Sequence, residues 1–230
     1  MNLFDEKEDG LILYHSSCVN ITPTYGLGNP RCDYGLAFYC TEDIYQAKLW
    51  AVAKTGTGYV YKFKLNTKDL NILKISEDNV LLWLAILMSN RELADLSEVG
   101  QVNLKLFLEK YLTVNINTYD IIIGYRADDS YFKFASAFIE GVLTYEYLVK
   151  AIKLESLGYQ VAVKSKRAFD RLIALESISI QSGKLKDEYN NRDRIARNTY
   201  SEYASRIAYD RVRLKNNIND IYKFLQEVIS

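Results

Sequence analysis

Histidine is almost absent from this sequence, in which His15 is the only one among 230 residues. A histidine-rich zinc site, a two-histidine iron site and a metalloprotease motif each need at least two imidazoles, so all three are excluded. The cysteines are odd in number and lack the spacing of a metal site; they are Cys18, Cys32 and Cys40. They predict free thiols in a reducing compartment, and the expected location is the cytoplasm.

Long apolar runs and a surplus of one charge are also missing. The longest apolar run, Val80–Met88, is far shorter than the roughly 20 residues that cross a bilayer, and it predicts a core helix. The first ten residues are acidic and lack the basic start and apolar stretch of a secretory signal. Basic and acidic side chains number 29 each, so no global field favours nucleic acid or an anionic membrane. We therefore expect no membrane partner.

The remaining pattern predicts an α+β fold with several strands that are not sequential neighbours. Period-two alternation and short apolar runs bounded by turn signals predict strands at Gly10–Tyr14, Gly58–Leu65, Tyr119–Gly124 and Tyr159–Lys164, the last of the series. Helical spacing predicts helices at Thr41–Thr55, with Thr41 as the capping residue, at Glu140–Leu154 and near Arg167–Leu172. A helical insert is expected at about 77–112.

The region after residue 180 differs in composition and is expected to be a helical extension, 181–230, of a domain at 1–180. Its apolar residues recur every three or four positions from Ala196 to Val228, which predicts one long helix, or two that break near Asp210. This stripe either packs back on the domain or, over 190–229, binds a partner or a second copy. Its arginines alternate with acidic residues, which favours a solvated face over a nucleic-acid contact.

Four residues stand out as candidates for chemistry: His15 at the end of the first strand, Tyr39 in a second apolar run, Trp50 in the helix that follows, and Gln160 in the last predicted strand. Each alone is typical of a core or half-exposed position. Their order and spacing carry more information than their identities. The segment Phe38–Trp50 resembles the nicotinamide-pocket segment of the diphtheria-toxin and poly(ADP-ribose) polymerase branch of the ADP-ribosyltransferases, in which two aromatic rings stand about eleven positions apart.

A closer resemblance involves four segments: Leu13–His15, Asp33–Thr41, Tyr119–Gly124 with Ala127–Asp129, and Tyr159–Val161. Together they resemble a largely uncharacterised bacterial family, a domain of unknown function that is placed in the ADP-ribosyltransferase superfamily. The resemblance spans about residues 11–175. It implies an ADP-ribosyltransferase-like fold of split mixed and antiparallel β-sheets with surrounding helices, and it implies NAD as the substrate.

The resemblance also implies roles for individual residues. Tyr39 and Trp50 would sandwich the nicotinamide, with stacking and cation–π attraction on the order of 1–2 kcal/mol when desolvated. His15 would donate hydrogen bonds to the ribose hydroxyls of the adenosine half, and the backbone at Ser16 would hold the carboxamide. The catalytic set would be His15, Tyr39 and Gln160.

Gln160 departs from the superfamily pattern, because the corresponding strand normally supplies a catalytic glutamate. A neutral amide can bond to the 2′-hydroxyl of the nicotinamide ribose, but it cannot supply a negative charge opposite an oxocarbenium ion. Asp128 or Asp129 could compensate, or the two could form a solvated turn.

Three hypotheses stay open. The leading one is a mono-ADP-ribosyltransferase that modifies a protein or nucleic acid, acting as a bacterial toxin or defence effector with an antitoxin as its neutralising partner. The second is a catalytically weak or inactive module that binds NAD or ADP-ribose and acts through its C-terminal helix. The third is an interaction protein with a degenerate pocket.

Overall fold

The computed structural model describes residues 10–54, 57–91, 96–127, 129–152, 158–192, 194–195, 197–199, 201–206 and 208. Its strands are β1 (Leu11–Ser17), β2 (Phe38–Cys40), β3 (Thr57–Leu65), β4 (Ile72–Lys74), β5 (Ile121–Tyr125), β6 (Tyr159–Val163) and β7 (Leu172–Gln181). Its helices are α1 (Ile44–Val52), α2 (Val80–Asn90), α3 (Glu98–Tyr111), α4 (Asp129–Ile139), α5 (Tyr145–Ile152) and α6 (Lys166–Phe169). This mixture confirms the predicted α+β class.

The strands form two sheets. The first is antiparallel in the order β1-β3-β7, and the second is mixed in the order β2-β6-β5-β4, with only the β4–β5 pair parallel. A backbone bridge joins the two sheets, because the amides and carbonyls of Tyr14 and Thr41 exchange hydrogen bonds of 2.8 and 3.0 Å. The bridge holds the middle of β1 beside the end of β2, and so brings His15 next to Tyr39.

The main apolar core surrounds α2. The run Val80–Met88 forms this helix, as predicted, and Trp83 is fully buried within it. The indole Nε1 of Trp83 donates to the carbonyl of Tyr125 at 3.1 Å, which ties α2 to the end of β5. Among the residues that the structure describes, no helix is long and apolar enough to cross a membrane.

The start of α1 differs from the prediction. The capping residue is Asp43 and not Thr41: the Asp43 carboxylate accepts from the amides of Tyr45 and Gln46. The backbone of Thr41 is engaged in the bridge to β1, so it cannot enter a helix. Its hydroxyl instead accepts from the amide of Asp43 and supports the cap.

Two further predictions need correction. The predicted helix at 140–154 begins only at Tyr145, since Gly141 adopts a positive φ of 68° where an unpredicted helix, α4, has just ended. The strand β6 is not the last one. After the short helix α6 the chain returns as β7 and pairs with β3 over nine register positions, with a shift between Lys62 and Phe63.

The described residues between 183 and 208 are helical and are called here the C-terminal segment. Its Tyr203 ring lies 4.8 Å from the Tyr147 ring and 6.4 Å from the Phe134 ring. At this point the predicted stripe packs back on α4 and α5. The rest of the stripe, including Ala196, Asp210 and Val228, lies outside the described residues.

Candidate functional site

A cavity of about 860 Å³ lies where the two sheets meet. It is lined by all five residues to which the sequence analysis gave a ligand-binding role: His15, Ser16, Tyr39, Trp50 and Gln160. They come from β1, β2, α1 and β6, so the topology gathers residues that are up to 145 positions apart. The volume lies within the range of about 300–1,000 Å³ that is usual for small-molecule sites.

His15 is held by two contacts. Its Nδ1 lies 2.7 Å from the carbonyl oxygen of Tyr39, and its ring stacks on Phe38 with centroids 4.1 Å apart. Because a carbonyl only accepts, Nδ1 carries the hydrogen, and the neutral ring presents Nε2 as an acceptor. Burial lowers the pKa of His15, and the bond to Tyr39 opposes this in part. A sugar hydroxyl would therefore donate to His15, whereas the sequence analysis expected His15 to donate.

The hydroxyl of Tyr39 is committed to the loop before β2. It donates to the carbonyl of Gly35 at 2.6 Å and accepts from the amide of Tyr34 at 3.1 Å. Burial raises the pKa of Tyr39, so the phenol stays protonated at neutral pH. Tyr39 thus offers a ligand its ring and does not act as an acid or base.

Trp50 carries a cation on its ring. The guanidinium carbon of Arg126 lies 4.7 Å from the centroid of the indole, which is cation–π geometry. The indole face is therefore suited to a flat positive group. A nicotinamide ring that stacked on the same face would displace the guanidinium group of Arg126.

Gln160 lies beside the carboxylate of Asp33, a residue of the resembling segment Asp33–Thr41 for which the sequence predicted no role. The Nε2 atom of Gln160 donates to Oδ2 of Asp33 at 2.7 Å and to the carbonyl of Tyr125 at 3.3 Å. Asp33 also accepts from the amide of Ala127 at 2.8 Å, and its Oδ1 lies 3.3 Å from Nε of Arg91. Only 7% of the Asp33 side chain is exposed, yet the residue lines the cavity.

The charge on Asp33 is set by opposing effects. Burial raises the pKa of Asp33, while Arg91, the amide of Ala127 and the amide of Gln160 oppose the rise. A buried carboxylate is costly unless it is paired and hydrogen-bonded, and Asp33 has both kinds of partner. Its three donors are supplied by residues 58, 94 and 127 positions away in sequence, which explains why local patterns did not reveal it.

The two aspartates expected to compensate for Gln160 are not tested by the structure. Asp128 lies outside the described residues. Asp129 is the first residue of α4, and its side chain also lies outside what the structure describes.

Basic side chains form much of the remaining wall. Lys54, Arg91, Arg126 and Arg197 all line the cavity, together with Tyr189. Guanidinium groups bind phosphate with charge-assisted hydrogen bonds, so this wall suits an anionic ligand such as a diphosphate. Within the described part of the chain no group of histidine, cysteine, aspartate and glutamate is placed to hold a metal ion.

The fold and the cavity define an α+β protein with a ligand-sized site at the junction of two sheets. Residues 11–173 match the family described as "Protein of unknown function (DUF3990)". The match spans more than two thirds of the 230 residues, and the chain belongs to this family. Comparisons with curated proteins and with solved structures gave no match. The family match includes Asp33, Arg91 and Arg126, but it ends before Tyr189 and Arg197.

Proposed function

We propose that this protein is an NAD-dependent mono-ADP-ribosyltransferase, which transfers ADP-ribose to a protein or nucleic-acid acceptor and releases nicotinamide. The supporting observation is the gathering of His15, Ser16, Tyr39, Trp50 and Gln160 around one cavity of about 860 Å³. The resemblance to ADP-ribosyltransferases assigns those residues to NAD, and it does so from three separate segments of sequence: Tyr14–Ser17, Phe38–Trp50 and Gly158–Val163. The arginine-rich wall adds donors for the diphosphate of NAD.

The reaction breaks the bond between the nicotinamide nitrogen and the ribose carbon. That bond breaks through an oxocarbenium-like state, so the site must hold a cationic ring and then stabilise positive charge on the sugar. Tyr39 and Trp50 bind the nicotinamide by their rings. Nε2 of His15 accepts from a hydroxyl of the adenosine ribose, and the Gln160 oxygen accepts from the 2′-hydroxyl of the nicotinamide ribose.

The test uses NAD labelled in its adenosine half, purified protein and cell extract, and it measures label transfer and nicotinamide release. We expect both activities in the wild type, and losses of at least tenfold in His15→Ala and Trp50→Ala. Tyr145→Ala is the matched control, because Tyr145 is exposed at the start of α5 and does not line the cavity. Absence of transfer and of nicotinamide release, with unchanged NAD binding in His15→Ala, would contradict the proposal.

The second candidate function is an NAD- or ADP-ribose-binding module without turnover. The observation in its favour is the neutral Gln160, both of whose amide hydrogens are donated to protein acceptors. Calorimetry that measures NAD binding, combined with no nicotinamide release over hours, would favour this candidate over the transferase.

A role as a toxin or defence effector, with an antitoxin as partner, is supported only by the family resemblance. Induced expression in a bacterial host tests it. We expect growth arrest with the wild type and normal growth with Trp50→Ala at equal protein levels, and equal growth of the two strains would contradict the role.

A further inference from the structure

We propose that Asp33 and Gln160 act as one unit, in which Asp33 supplies the negative charge that Gln160 lacks and fixes the amide with its oxygen toward the substrate. The inference rests on the proposed transferase function. In this unit Gln160 is the residue that touches the ribose. Asp33 is a positioning residue that acts through the amide.

The first support is the direction of the amide. A primary amide has two N–H bonds, and Gln160 directs Nε2 at Asp33 Oδ2 and at the carbonyl of Tyr125. The amide can therefore offer a ligand only its oxygen Oε1. A glutamate would also offer only an oxygen, so a 2′-hydroxyl meets the same kind of acceptor in both cases.

The second support is the charge behind the amide. Asp33 lies 2.7 Å from the Gln160 nitrogen and is nearly buried, so water screens its charge weakly. Hydrogen-bonded groups polarise one another, and an amide that donates to a carboxylate gains negative charge on its oxygen. The positive charge that develops on the ribose thus faces an acceptor backed by an anion.

The third support is the absence of a glutamate at position 160. A second carboxylate within hydrogen-bond distance of Asp33 could not ionise alongside it, and the two would share a proton. One carboxylate and one amide avoid that repulsion, and the single negative charge accepts hydrogen bonds from the groups around it. The glutamine is then the partner that Asp33 requires.

A purely structural role for Asp33 is the alternative, because it also accepts from Ala127 and pairs with Arg91. Asp120 provides a matched control. It is likewise buried, it accepts from the amide of Asn71 at 2.8 Å and it pairs with Arg167 at 3.3 Å, but it does not line the cavity. Asp120→Asn removes a buried charge without touching the proposed unit.

The experiment compares nicotinamide release and NAD affinity in the wild type, Asp33→Asn, Gln160→Glu, the double variant Asp33→Asn with Gln160→Glu, and Asp120→Asn. We expect Asp33→Asn to lower kcat roughly 100-fold, a loss of the size seen when one transition-state contact is removed. NAD affinity should stay within about threefold of the wild type. The double variant returns one charge to the pair and should recover kcat to within about tenfold of the wild type.

The pH profile gives an independent readout. Gln160→Glu should not raise kcat at neutral pH, because the new pair holds one proton, and it should add an ionisation that the wild type lacks. The charged and titratable groups around the pair are the same in both proteins: Cys32, Tyr34, Tyr39, Arg91 and Arg126. The added ionisation can therefore be assigned to the carboxylate pair that the substitution creates.

Several results would overturn the inference. An unchanged kcat in Asp33→Asn would overturn it. A double variant that is no faster than Asp33→Asn would also overturn it, provided that both variants bind NAD and unfold at the wild-type temperature. An equal loss of kcat in Asp120→Asn would assign the effect to stability alone. If the wild type releases no nicotinamide, the proposed function fails and this inference fails with it, whereas an active wild type with an active Asp33→Asn variant overturns the inference alone.

Discussion

At the scale of single residues, His15 is held in one tautomer, and its surroundings disfavour the protonated, positively charged ring. One ring nitrogen bonds to the carbonyl of Tyr39, and the stack on Phe38 fixes the plane of the ring. Burial favours the neutral form over the cation. Because no other histidine is present, signals from imidazole in this protein report on the cavity alone.

The pKa of His15 should lie below its ordinary value of 6.5, and protonation of the buried ring should destabilise the fold as the pH falls. Below that pH the unfolded chain binds the proton more readily than the native protein does. The contribution of neutral His15 to the free energy of unfolding is therefore fully present above about pH 6.5, and it is lost as the pH falls toward the native pKa. Proton NMR of the single imidazole measures the pKa. Urea unfolding between pH 7 and pH 5 measures the stability, and His15→Gln should lose less of it than the wild type; an equal loss would contradict the prediction.

Trp50 should report NAD binding by its fluorescence. It is one of only two tryptophans; it lines the cavity, whereas Trp83 is fully buried in the core. On the proposed function, stacked nicotinamide quenches Trp50 and leaves Trp83 unchanged. Titration with NAD should lower the emission of the wild type but not that of Trp50→Phe. Quenching of equal size in the two proteins would place the ligand elsewhere.

At the scale of elements, the position of α1 depends on a close approach to β3. A Cβ built at Gly58 would lie only 2.2 Å from the carbonyl oxygen of Ala51, near the end of α1. Only glycine permits this separation. Since α1 carries Trp50, the backbone contact also sets how far the indole projects into the cavity.

Gly58→Ala should therefore destabilise the protein by about 1–3 kcal/mol, because α1 must move away from β3, and on the proposed function it should also weaken NAD binding. Gly100→Ala is the comparison: its Cβ would meet no backbone but only the carboxylate of Glu140, whose displacement costs two exposed hydrogen bonds from Ser97, in a helix that favours alanine. Urea unfolding of the two variants measures the difference. A Gly58→Ala protein as stable as Gly100→Ala would show that the contact is unimportant.

Local sequence patterns are sufficient to predict some of the strands and helices but not others. The strand β5 was predicted because its five residues are all buried and therefore apolar. The strand β7 was not, since Ile173 and Leu175 are 59% and 50% exposed and obscure its alternation. Local spacing located α1, but its first residue depended on the bridge between Tyr14 and Thr41, which joins two sheets.

The residues of the candidate site likewise include some that the sequence predicts and one, Asp33, that it does not. His15, Tyr39, Trp50 and Gln160, which line the cavity, are predicted as site residues because their segments resemble a known pattern. Asp33 begins the segment Asp33–Thr41 of the family resemblance, but the resemblance gives it no role, and its burial depends on partners far away in sequence. Tertiary contacts alone distinguish it from an exposed aspartate.

At the scale of the whole molecule, the cavity wall includes residues beyond the family match. The match ends at residue 173, while Tyr189 and Arg197 of the C-terminal segment line the cavity. Arg192 holds the segment near α1, since its Nη1 donates to Oε1 of Gln46 at 2.9 Å. The segment therefore completes one side of the site.

On the proposed function, Arg197→Ala should weaken NAD binding roughly fivefold, equivalent to about 1 kcal/mol, because it removes one cation from the wall that would face the diphosphate. Calorimetry measures the affinity. Arg194→Ala is the control, since Arg194 lies on the same segment, bonds to Asn191 and does not line the cavity. The loss should shrink at high salt, and an equal loss in both variants would contradict the role of Arg197.

The division of the site between two sheets also bears on how the protein is made. His15 belongs to the first sheet, whereas Tyr39 and Gln160 belong to the second. During synthesis from the N-terminus, the ribosome must have released the chain through Gln160 before this cavity can close. On the proposed function, NAD binding then arises only after Gln160 has left the ribosome, when the strands that carry His15 and Tyr39 have already been exposed for much of the synthesis.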